Sequence, residues 1–232
     1  QYVVAGAEKT EDSFRVKWEK FASCSYLEGY GLTETAPGIS FNLPEHGFRK
    51  GSVGRLFPEI ECKTIHPDAG HDLKTGETGL LCFRGPNIFS GYLNDVQKTE
   101  EVLTEEKWFI TGDIGYLDED QFLFIKGRLS RFSKIGGEMV PHETVEETIK
   151  KIFSNQDDCE TSLVVVGQPD PIKGEQLVLV SDQELDFPEL RKKLSEHGLP
   201  NLWIPKKVQK IDQIPILPTG KIDIQGVKKL IV

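Results

Sequence analysis

Residues 1–50 alternate short apolar runs with polar turns. The run YVVAGAE (2–8) predicts a buried strand that leads into a glycine turn. The segment EDSFRVKWEKFAS (11–23) has apolar residues near helical spacing and predicts a helix, and CSYLEGYG (24–31) predicts a second short strand. A strand, a helix and a strand joined by polar turns indicate part of an α/β domain.

From residue 51 the apolar runs become shorter and are separated by Gly, Pro and Asp. Examples are GSVGRLFPEIECKTIHP (51–67), GETGLLCFRG (76–85) and WFITGDIGYLDEDQFLFIKGR (108–128). Within the last run, LDEDQ (117–121) lies between two apolar stretches, which predicts a hairpin turn. Residues 51–128 are therefore predicted to form antiparallel β structure.

The last hundred residues mix helical and strand patterns. Helices are predicted over 141–154 and 186–200, and the second of these has an acid and a proline at its start and a glycine near its end. Strands are predicted over 161–167, 175–181 and 205–212. This mixture indicates a small α+β domain.

One segment before this last region lacks a clear strand or helix pattern. IKGRLSRFSKIGGEM (125–139) is basic and contains glycine but few large apolar residues, so we expect a linker or hinge there. The chain is accordingly predicted to comprise a domain over 1–128, divided into an α/β piece (1–50) and a β-rich subdomain (51–128), and a second domain over 129–232.

Composition excludes several classes of protein. A hydrophobic content of 38% suits a packed core, and no apolar run approaches the ~20 residues of a membrane-spanning helix. The net charge of −9 argues against a general nucleic-acid-binding protein. Four separated cysteines without a CxxC pair argue against structural zinc and favour reduced thiols in a cytoplasmic setting. Because Gln1 leads directly into an apolar run, we expect the sequence to begin inside a domain.

The stretch LEGYGLTETAP (27–37) places an aromatic ring, hydroxyls and a carboxylate close to glycines. Glycine lets backbone approach a ligand closely, and the flat ring of Tyr30 can stack on a purine. The hydroxyls of Thr33 and Thr35 can donate to phosphate oxygens, and the carboxylate of Glu34 suits Mg²⁺. The stretch therefore suits a nucleotide–Mg²⁺ complex. The alternative is a glycine-rich loop with a buried tyrosine and a helix cap at Thr33.

Four further segments hold residues of related chemistry. AGAE (5–8) is a glycine turn after a strand and can lie along a flat base. Asp113, at a strand end beside Trp108, can accept hydrogen bonds from both hydroxyls of a ribose, and Arg128 can pair with ribose or phosphate. Lys221 lies on a Pro-Thr-Gly loop. Taken singly, AGAE could equally be an ordinary strand end and Asp113 part of a common turn, and charged residues such as Arg128 and Lys221 are more often solvated surface groups.

Five segments occur in one order along the chain: AGAE, YGLTETAP, GYLND…WFITGD, GRLSRFSKIGGEM and LPTGK. This order and spacing resemble the second half of the AMP-forming acyl-adenylate synthetases, and the resemblance covers essentially the whole chain. Within that superfamily, RFSKIGGEMV and the ending EHGLPNLWIPKKV…IPILPTGKID look most like the acyl-acyl-carrier-protein synthetase part of a bifunctional bacterial 2-acylglycerophosphoethanolamine acyltransferase.

The resemblance implies a role for each matching residue. Thr33 would contact the α-phosphate, Glu34 would bind Mg²⁺, and Lys221 would be a mobile catalytic lysine that bridges the substrate carboxylate and the phosphate. Ser130 would be the hinge. The remaining residues implied to bind the nucleotide are Gly6, Ala7 and Glu8 at the adenine, Tyr30 stacked on the base, Asp113 and Arg128 at the ribose, and Lys134.

The sequence departs from the family pattern in three places. The family's phosphate loop, which is rich in Ser, Thr and Gly, would lie upstream of AGAE and is absent, so we expect this chain to be a fragment and to be inactive alone. Ser130 replaces the usual Asp or Lys at the hinge. Met139 replaces a common Arg, which leaves the thiol acceptor open between acyl carrier protein and CoA.

The fold that the resemblance implies is α/β plus α+β. The end of a large adenylating domain, with an α/β piece and a β-rich, barrel-like subdomain, would precede a small α+β domain. The implied activity is ATP-dependent ligation of a fatty acid to a thiol through acyl-AMP, with ATP/AMP and Mg²⁺ as cofactors. The parent enzyme would also take a lysophospholipid, in the cytoplasm or at the inner face of a bacterial inner membrane.

Two other functions remain open from the residues. The chain could be a non-catalytic module that docks a carrier protein. It could also belong to an adenylating enzyme with a non-thiol outcome, such as a luciferase-like oxidation.

Overall fold

Two compact units make up the chain. The computed structural model describes residues 2–6, 10, 12–47, 49–153 and 162–231. Contacts between Cα atoms divide the chain into unit 1, Gln1–Leu129, and unit 2, Ser130–Val232. Over these described stretches, no helix is both long enough and apolar enough to cross a lipid bilayer.

Unit 1 consists mainly of short strands. Its helices are α1 (Asp12–Ala22) and α2 (Val96–Val102). Its strands are β1 (Tyr2–Ala5), β2 (Ser25–Gly31), β3 (Gly38–Phe41), β4 (Arg55–Leu56), β5 (Glu61–Ile65), β6 (Gly79–Arg84), β7 (Phe109–Leu117) and β8 (Leu123–Arg128).

The first sheet of unit 1 has the strand order β1-β2-β3-β4. Strand β1 pairs parallel with β2, as a strand–helix–strand unit requires, and the other pairs are antiparallel. The predicted strand at 2–8 is present, but its predicted burial is wrong, since Tyr2 and Val4 are 61% and 63% exposed. Successive side chains of β1 point to opposite faces of the sheet, and only the face of Val3 and Ala5 is partly covered within the described part of unit 1.

The second sheet of unit 1 is the antiparallel meander β5-β6-β7-β8, which agrees with the predicted β-rich region. The predicted hairpin turn joins β7 to β8, where Asp118 Oδ1 accepts a hydrogen bond from the Phe122 N–H at 2.8 Å. Leu81 and Phe83 of β6 and Leu123 of β8 are fully buried and pack with Ile39 of β3. This core fixes the ends of both sheets relative to each other.

Unit 2 is an α+β sheet structure. Its helices are α3 (His142–Phe153), α4 (Phe187–Glu196) and α5 (Ile224–Leu230). Its strands are β9 (Phe132–Ile135), β10 (Glu138–Pro141), β11 (Leu163–Asp170), β12 (Gly174–Ser181) and β13 (Lys207–Lys210). The sheet order is β10-β9-β12-β11, and β13 pairs parallel with β12.

Helices cover both faces of this sheet. Successive side chains of a strand point to opposite faces, so the continuous apolar runs of β11 and β12 supply two cores. One core packs the first face against α3 and α4 and includes Val165, Ile149 and Leu194. The other packs the second face against α5 and includes Val166 and Val227.

The prediction of a linker over 125–139 is wrong for most of that segment. It contains the end of β8 and an antiparallel hairpin of β9 and β10, in which Ile135 pairs with Glu138. A hairpin with one buried face needs few large apolar residues, and here they are Ile135 and Val140, which are 2% and 0% exposed. Only the short stretch between β8 and β9 is left as a connection.

Candidate functional site

An open groove in unit 1 lies along the turn at 27–37. Its volume is about 720 Å³, within the roughly 300–1,000 Å³ of ligand pockets. Of the residues expected to contact a nucleotide, Gly6, Tyr30 and Thr33 line it. Ala7 and Glu8 lie outside the described residues.

The glycines of the turn are required by the protein itself. A Cβ built on Gly31 would lie 1.6 Å from the carbonyl oxygen of Pro37, and one on Gly29 would lie 2.4 Å from the ring of Phe41. Both positions exclude a side chain because the chain folds back on itself there. Close approach to a ligand, the reason inferred from the sequence, is therefore not needed to explain these two residues.

Thr35 holds the turn together from within. It is fully buried, and its hydroxyl accepts a hydrogen bond from the Leu32 N–H at 2.9 Å. The same oxygen lies 2.9 Å from the Leu32 carbonyl and 2.8 Å from the Pro37 carbonyl. The expected phosphate contact of Thr35 is therefore wrong, whereas Thr33 is exposed on a single 3₁₀ turn at the groove.

A buried carboxylate connects Tyr30 and Arg128. The Tyr30 hydroxyl donates to Asp113 Oδ2 at 2.5 Å, and Arg128 Nε lies 3.0 Å from Asp113 Oδ1. Arg128 is placed there by register, because it is the cross-strand partner of Asp113 between β7 and β8. Each carboxylate oxygen keeps further lone pairs, so Asp113 can still accept from a ligand hydroxyl.

Burial shifts the pKa values of both Asp113 and Tyr30. Desolvation raises the pKa of Asp113 above its usual range, while the Tyr30 hydrogen bond and the Arg128 charge act in the opposite direction. Burial, followed by the neighbouring Asp113 charge, raises the pKa of Tyr30 far above its ordinary value. Tyr30 therefore remains a neutral phenol that donates to Asp113 at any physiological pH.

Two interpretations of Tyr30 were drawn from the sequence, a ring that stacks on a base and a buried tyrosine, and the residue has features of both. It lines the groove, as a base-stacking ring would, and it also packs on the core residue Phe83 with ring centroids 6.0 Å apart. Its hydroxyl partner was not predicted. The two residues are 83 positions apart, and no local spacing links them.

Residues 87–92, which we call the clamp segment, hold the turn that contains Glu34. Asn87 Nδ2 donates to the carbonyls of Thr35 and Gly38 at 2.7 and 2.6 Å. The Phe89 N–H donates to the Glu34 carbonyl at 2.9 Å, and the Tyr92 hydroxyl donates to Glu34 Oε1 at 2.7 Å. No role was predicted for these residues from the sequence, although GYLND belongs to one of the five ordered segments.

Glu34 is the carboxylate of the turn at 27–37 that could bind a divalent cation. Glu34 is half-buried, and its Oε2 has no hydrogen-bond partner among the described residues. No group of three His, Cys, Asp or Glu side chains suited to a metal occurs in the part of the chain that the structure describes. Mg²⁺ is commonly held by one or two carboxylates together with substrate phosphates, and Glu34 fits that mode of binding.

The other expected residues, Lys134, Lys221 and Ser130, belong to unit 2. Lys134 is an exposed residue of β9 whose backbone N–H donates to Glu175 Oε2 at 2.6 Å. Lys221 is exposed and follows a tight turn, closed where the Leu217 N–H donates to the Lys221 carbonyl at 2.7 Å. Ser130 is the exposed first residue of the unit.

Two anchored arginines lie on either side of the unit boundary. Arg128 is bound to Asp113 within unit 1. Within unit 2, Arg131 lies 2.6 Å from Glu146 Oε1 and donates to the Val165 carbonyl at 2.9 Å. Only two residues, at 129 and 130, lie between them. The expected hinge at Ser130 is therefore one of two positions that neither arginine holds.

Comparison with known proteins identifies relatives along the whole chain. A family model described as "AMP-binding enzyme" matches residues 1–93. 4-coumarate–CoA ligase 1 of Glycine max is 31% identical over 225 residues, covering 93% of this chain and 73% of that protein. Luciferin 4-monooxygenase of Photinus pyralis is 32% identical over 231 residues, covering 98% and 41%.

A solved structure gives the same result. ATP-bound MatB of Rhodopseudomonas palustris superimposes with a TM-score of 0.80 at 26% identity, over 98% of this chain and 44% of that one. This chain spans only 23% to 41% of the length of the first curated relatives that it matches. The match to 4-coumarate–CoA ligase 1 nevertheless covers nearly three quarters of that protein, and the groove and the fold agree with it. The chain therefore belongs to the AMP-binding enzyme family.

Proposed function

We propose that this chain is the C-terminal part of an ATP-dependent acid–thiol ligase that forms an acyl-AMP intermediate. The observation that supports this most is the buried Asp113, held between Arg128 and Tyr30, the latter of which lines the open groove. A buried, hydrogen-bonded carboxylate with free lone pairs is suited to the vicinal hydroxyls of a ribose. The CoA-ligase name of the Glycine max relative supports a thiol as the acceptor.

The proposed residues act by binding and by orienting charge. Asp113 and Arg128 bind the ribose, Tyr30 contacts the base, and Thr33 donates to the α-phosphate. Glu34 would hold Mg²⁺, which supplies positive charge to the phosphate oxygens. With these groups in place, a substrate carboxylate attacks the α-phosphate, pyrophosphate leaves, and a thiol then displaces AMP from the acyl group.

The finer assignment concerns the two substrates of the ligation. We propose a fatty acid as the acid and either acyl carrier protein or CoA as the thiol, with 1–128 ending the adenylating domain and 129–232 forming the mobile domain. Resemblance of residues 131–140 to an acyl-carrier-protein synthetase supports the carrier protein and a lysophospholipid-linked parent, while Met139 leaves the choice of thiol open.

The test is acid-dependent ATP–pyrophosphate exchange by the longer protein that contains this chain. Exchange with fatty acids, followed by thioester formation on addition of CoA or carrier protein, is the expected result. The isolated 232-residue chain is the control. It should not exchange, because it contains no phosphate loop for the β- and γ-phosphates. Exchange without any thioester product would favour a non-thiol acceptor, and no exchange with any acid would refute the proposal.

The hydroxyl and the ring of Tyr30 can be tested separately, because the hydroxyl binds Asp113 and the ring is expected to contact the base. Tyr30→Phe in the longer protein keeps the contact with Phe83 but removes the hydrogen bond to Asp113. We expect the KM for ATP to rise about tenfold, because a hydrogen bond to a charged group contributes about 1.5–3 kcal/mol. Tyr30→Ala should raise KM further by removing the stacking ring.

The measurement for both Tyr30 variants is initial-rate adenylation at varied ATP. Deoxy-ATP analogues that lack one ribose hydroxyl provide the check. If the hydroxyl acts through Asp113, the rise in KM from wild type to Tyr30→Phe should be smaller for these analogues than for ATP. A Tyr30→Phe enzyme with unchanged KM would mean that Asp113 does not depend on this hydrogen bond.

A further inference from the structure

Tyr92 is the residue of the clamp segment that contacts a side chain expected to act in catalysis. Asn87 and Phe89 bind backbone carbonyls of the turn, whereas the Tyr92 hydroxyl donates to the carboxylate of Glu34 at 2.7 Å. The clamp segment thus holds both the backbone of the turn and the carboxylate of Glu34. Removing the Tyr92 hydroxyl would release the carboxylate and leave the backbone contacts in place.

The Tyr92 ring is itself held in position. It packs edge-on against Phe89 with centroids 5.0 Å apart, and Lys98 Nζ lies 4.7 Å from the ring centroid on the following helix. Both contacts restrict the ring and so fix the direction in which its hydroxyl points at the carboxylate.

A carboxylate that is fixed through one oxygen is prepared to bind a cation through the other. Oε1 of Glu34 accepts the hydrogen bond of the Tyr92 hydroxyl, and Oε2 has no partner in the described part of the chain. An unrestrained glutamate would lose rotamer freedom on binding a cation, which weakens binding. Groups that orient a metal ligand in this way typically change metal affinity when they are removed.

We propose that Tyr92 is a positioning residue, whose hydroxyl holds the Glu34 carboxylate so that Oε2 is available to the divalent cation of a nucleotide complex. This inference rests on the proposed function, because it assigns Glu34 to that cation. Tyr92 itself contacts neither nucleotide nor cation. It acts by reducing the number of orientations that Glu34 can adopt.

The experiment measures binding of Mn²⁺–ATP, with Mn²⁺ in place of Mg²⁺, by electron paramagnetic resonance in the longer protein that contains this chain. Tyr92→Phe should weaken binding of the metal complex about tenfold, the lower end of the range for such groups. Binding of ATP in the presence of EDTA should be unchanged. The matched control is Tyr116→Phe, because that ring stacks on Phe124 at 4.7 Å, away from the turn.

A double substitution separates positioning from general loosening of the loop. If Tyr92 acts through Glu34, the variant Glu34→Gln/Tyr92→Phe should bind Mn²⁺–ATP no more weakly than Glu34→Gln alone. Additive losses, or a Tyr92→Phe protein that binds like Tyr116→Phe, would overturn the inference. Equal melting temperatures of the variants exclude misfolding.

The same data distinguish failure of the inference from failure of the proposed function. If wild type binds Mn²⁺–ATP, Glu34→Gln weakens it and Tyr92→Phe does not, only the role of Tyr92 is lost. If wild type does not bind Mn²⁺–ATP or ATP at all, the nucleotide-dependent function is refuted, and the role of Tyr92 with it.

Discussion

Lys221→Ala in the longer protein should reduce acyl-AMP formation by about 10²–10³-fold, since removal of one group that stabilises charge in the transition state typically costs about 3–4 kcal/mol. A carboxylate must approach an anionic phosphate in this step. One ammonium ~4 Å from an anion contributes ~4 kcal/mol at an effective dielectric constant near 20. Lys221 is exposed beside a tight turn, which leaves its ammonium accessible to such a substrate.

The second half-reaction provides the contrast for Lys221. Thioester formation from supplied acyl-AMP should change far less, because the acid no longer carries a carboxylate charge once it is joined to AMP, so no second anion has to approach the phosphate. Pyrophosphate exchange and single-turnover thioester formation measure the two steps separately. Lys192→Ala, on the exposed face of α4, is a suitable control for removal of a surface lysine. Equal losses in both half-reactions would refute the role assigned to Lys221.

Ser130→Pro should affect the two half-reactions unequally. Proline fixes φ near −65° and also restricts the preceding residue, Leu129. The φ of a 3₁₀ turn is compatible with proline at Ser130, but proline pushes Leu129 away from the helical conformation it has in the turn Leu129–Arg131, so the substitution should bias this connection towards one backbone state. A step that needs another orientation of the mobile domain should fall on the order of 100-fold, since small misplacements of catalytic groups cost about that much.

The control for Ser130→Pro is Ser130→Ala, which removes the hydroxyl and leaves the torsions free. Ser130→Ala should retain both half-reactions. Rates of acyl-AMP formation and of thioester formation, with melting temperatures to verify folding, form the measurement. A folded Ser130→Pro protein that keeps both rates would place the pivot outside the two residues between Arg128 and Arg131.

Elements with a strong local pattern could be predicted from the sequence. The helix predicted over 141–154 is observed as His142–Phe153, and the one predicted over 186–200 is observed as Phe187–Glu196. Both have apolar residues on one face and polar residues on the other, so the periodicity alone is sufficient. Their ends differ by a few residues because fraying and capping are local details.

Pairings between distant segments could not be predicted in this way. The β9–β10 hairpin was missed because its buried residues are few and one of them, Ser133, is polar, which is not a recognisable strand pattern, and Ile135 gains its burial from unit 2 as a whole. The hydrogen bond from Tyr92 to Glu34 joins positions 58 apart, and it depends on where the chain leaves β6. The chemistry of its side chain identified Glu34 as a candidate metal ligand, whereas its partner Tyr92 could be identified only from the folded structure.

The short connection between Arg128 and Arg131 limits the entropy of the joint between the units. Ordering the backbone of one residue costs roughly 1–2 kcal/mol, and the two residues between the arginines are already ordered in the 3₁₀ turn Leu129–Arg131. A long flexible linker would lose much more each time the units adopted a defined arrangement. Arg128, bound to Asp113, and Arg131, bound to Glu146, therefore leave little free backbone at the boundary between the units.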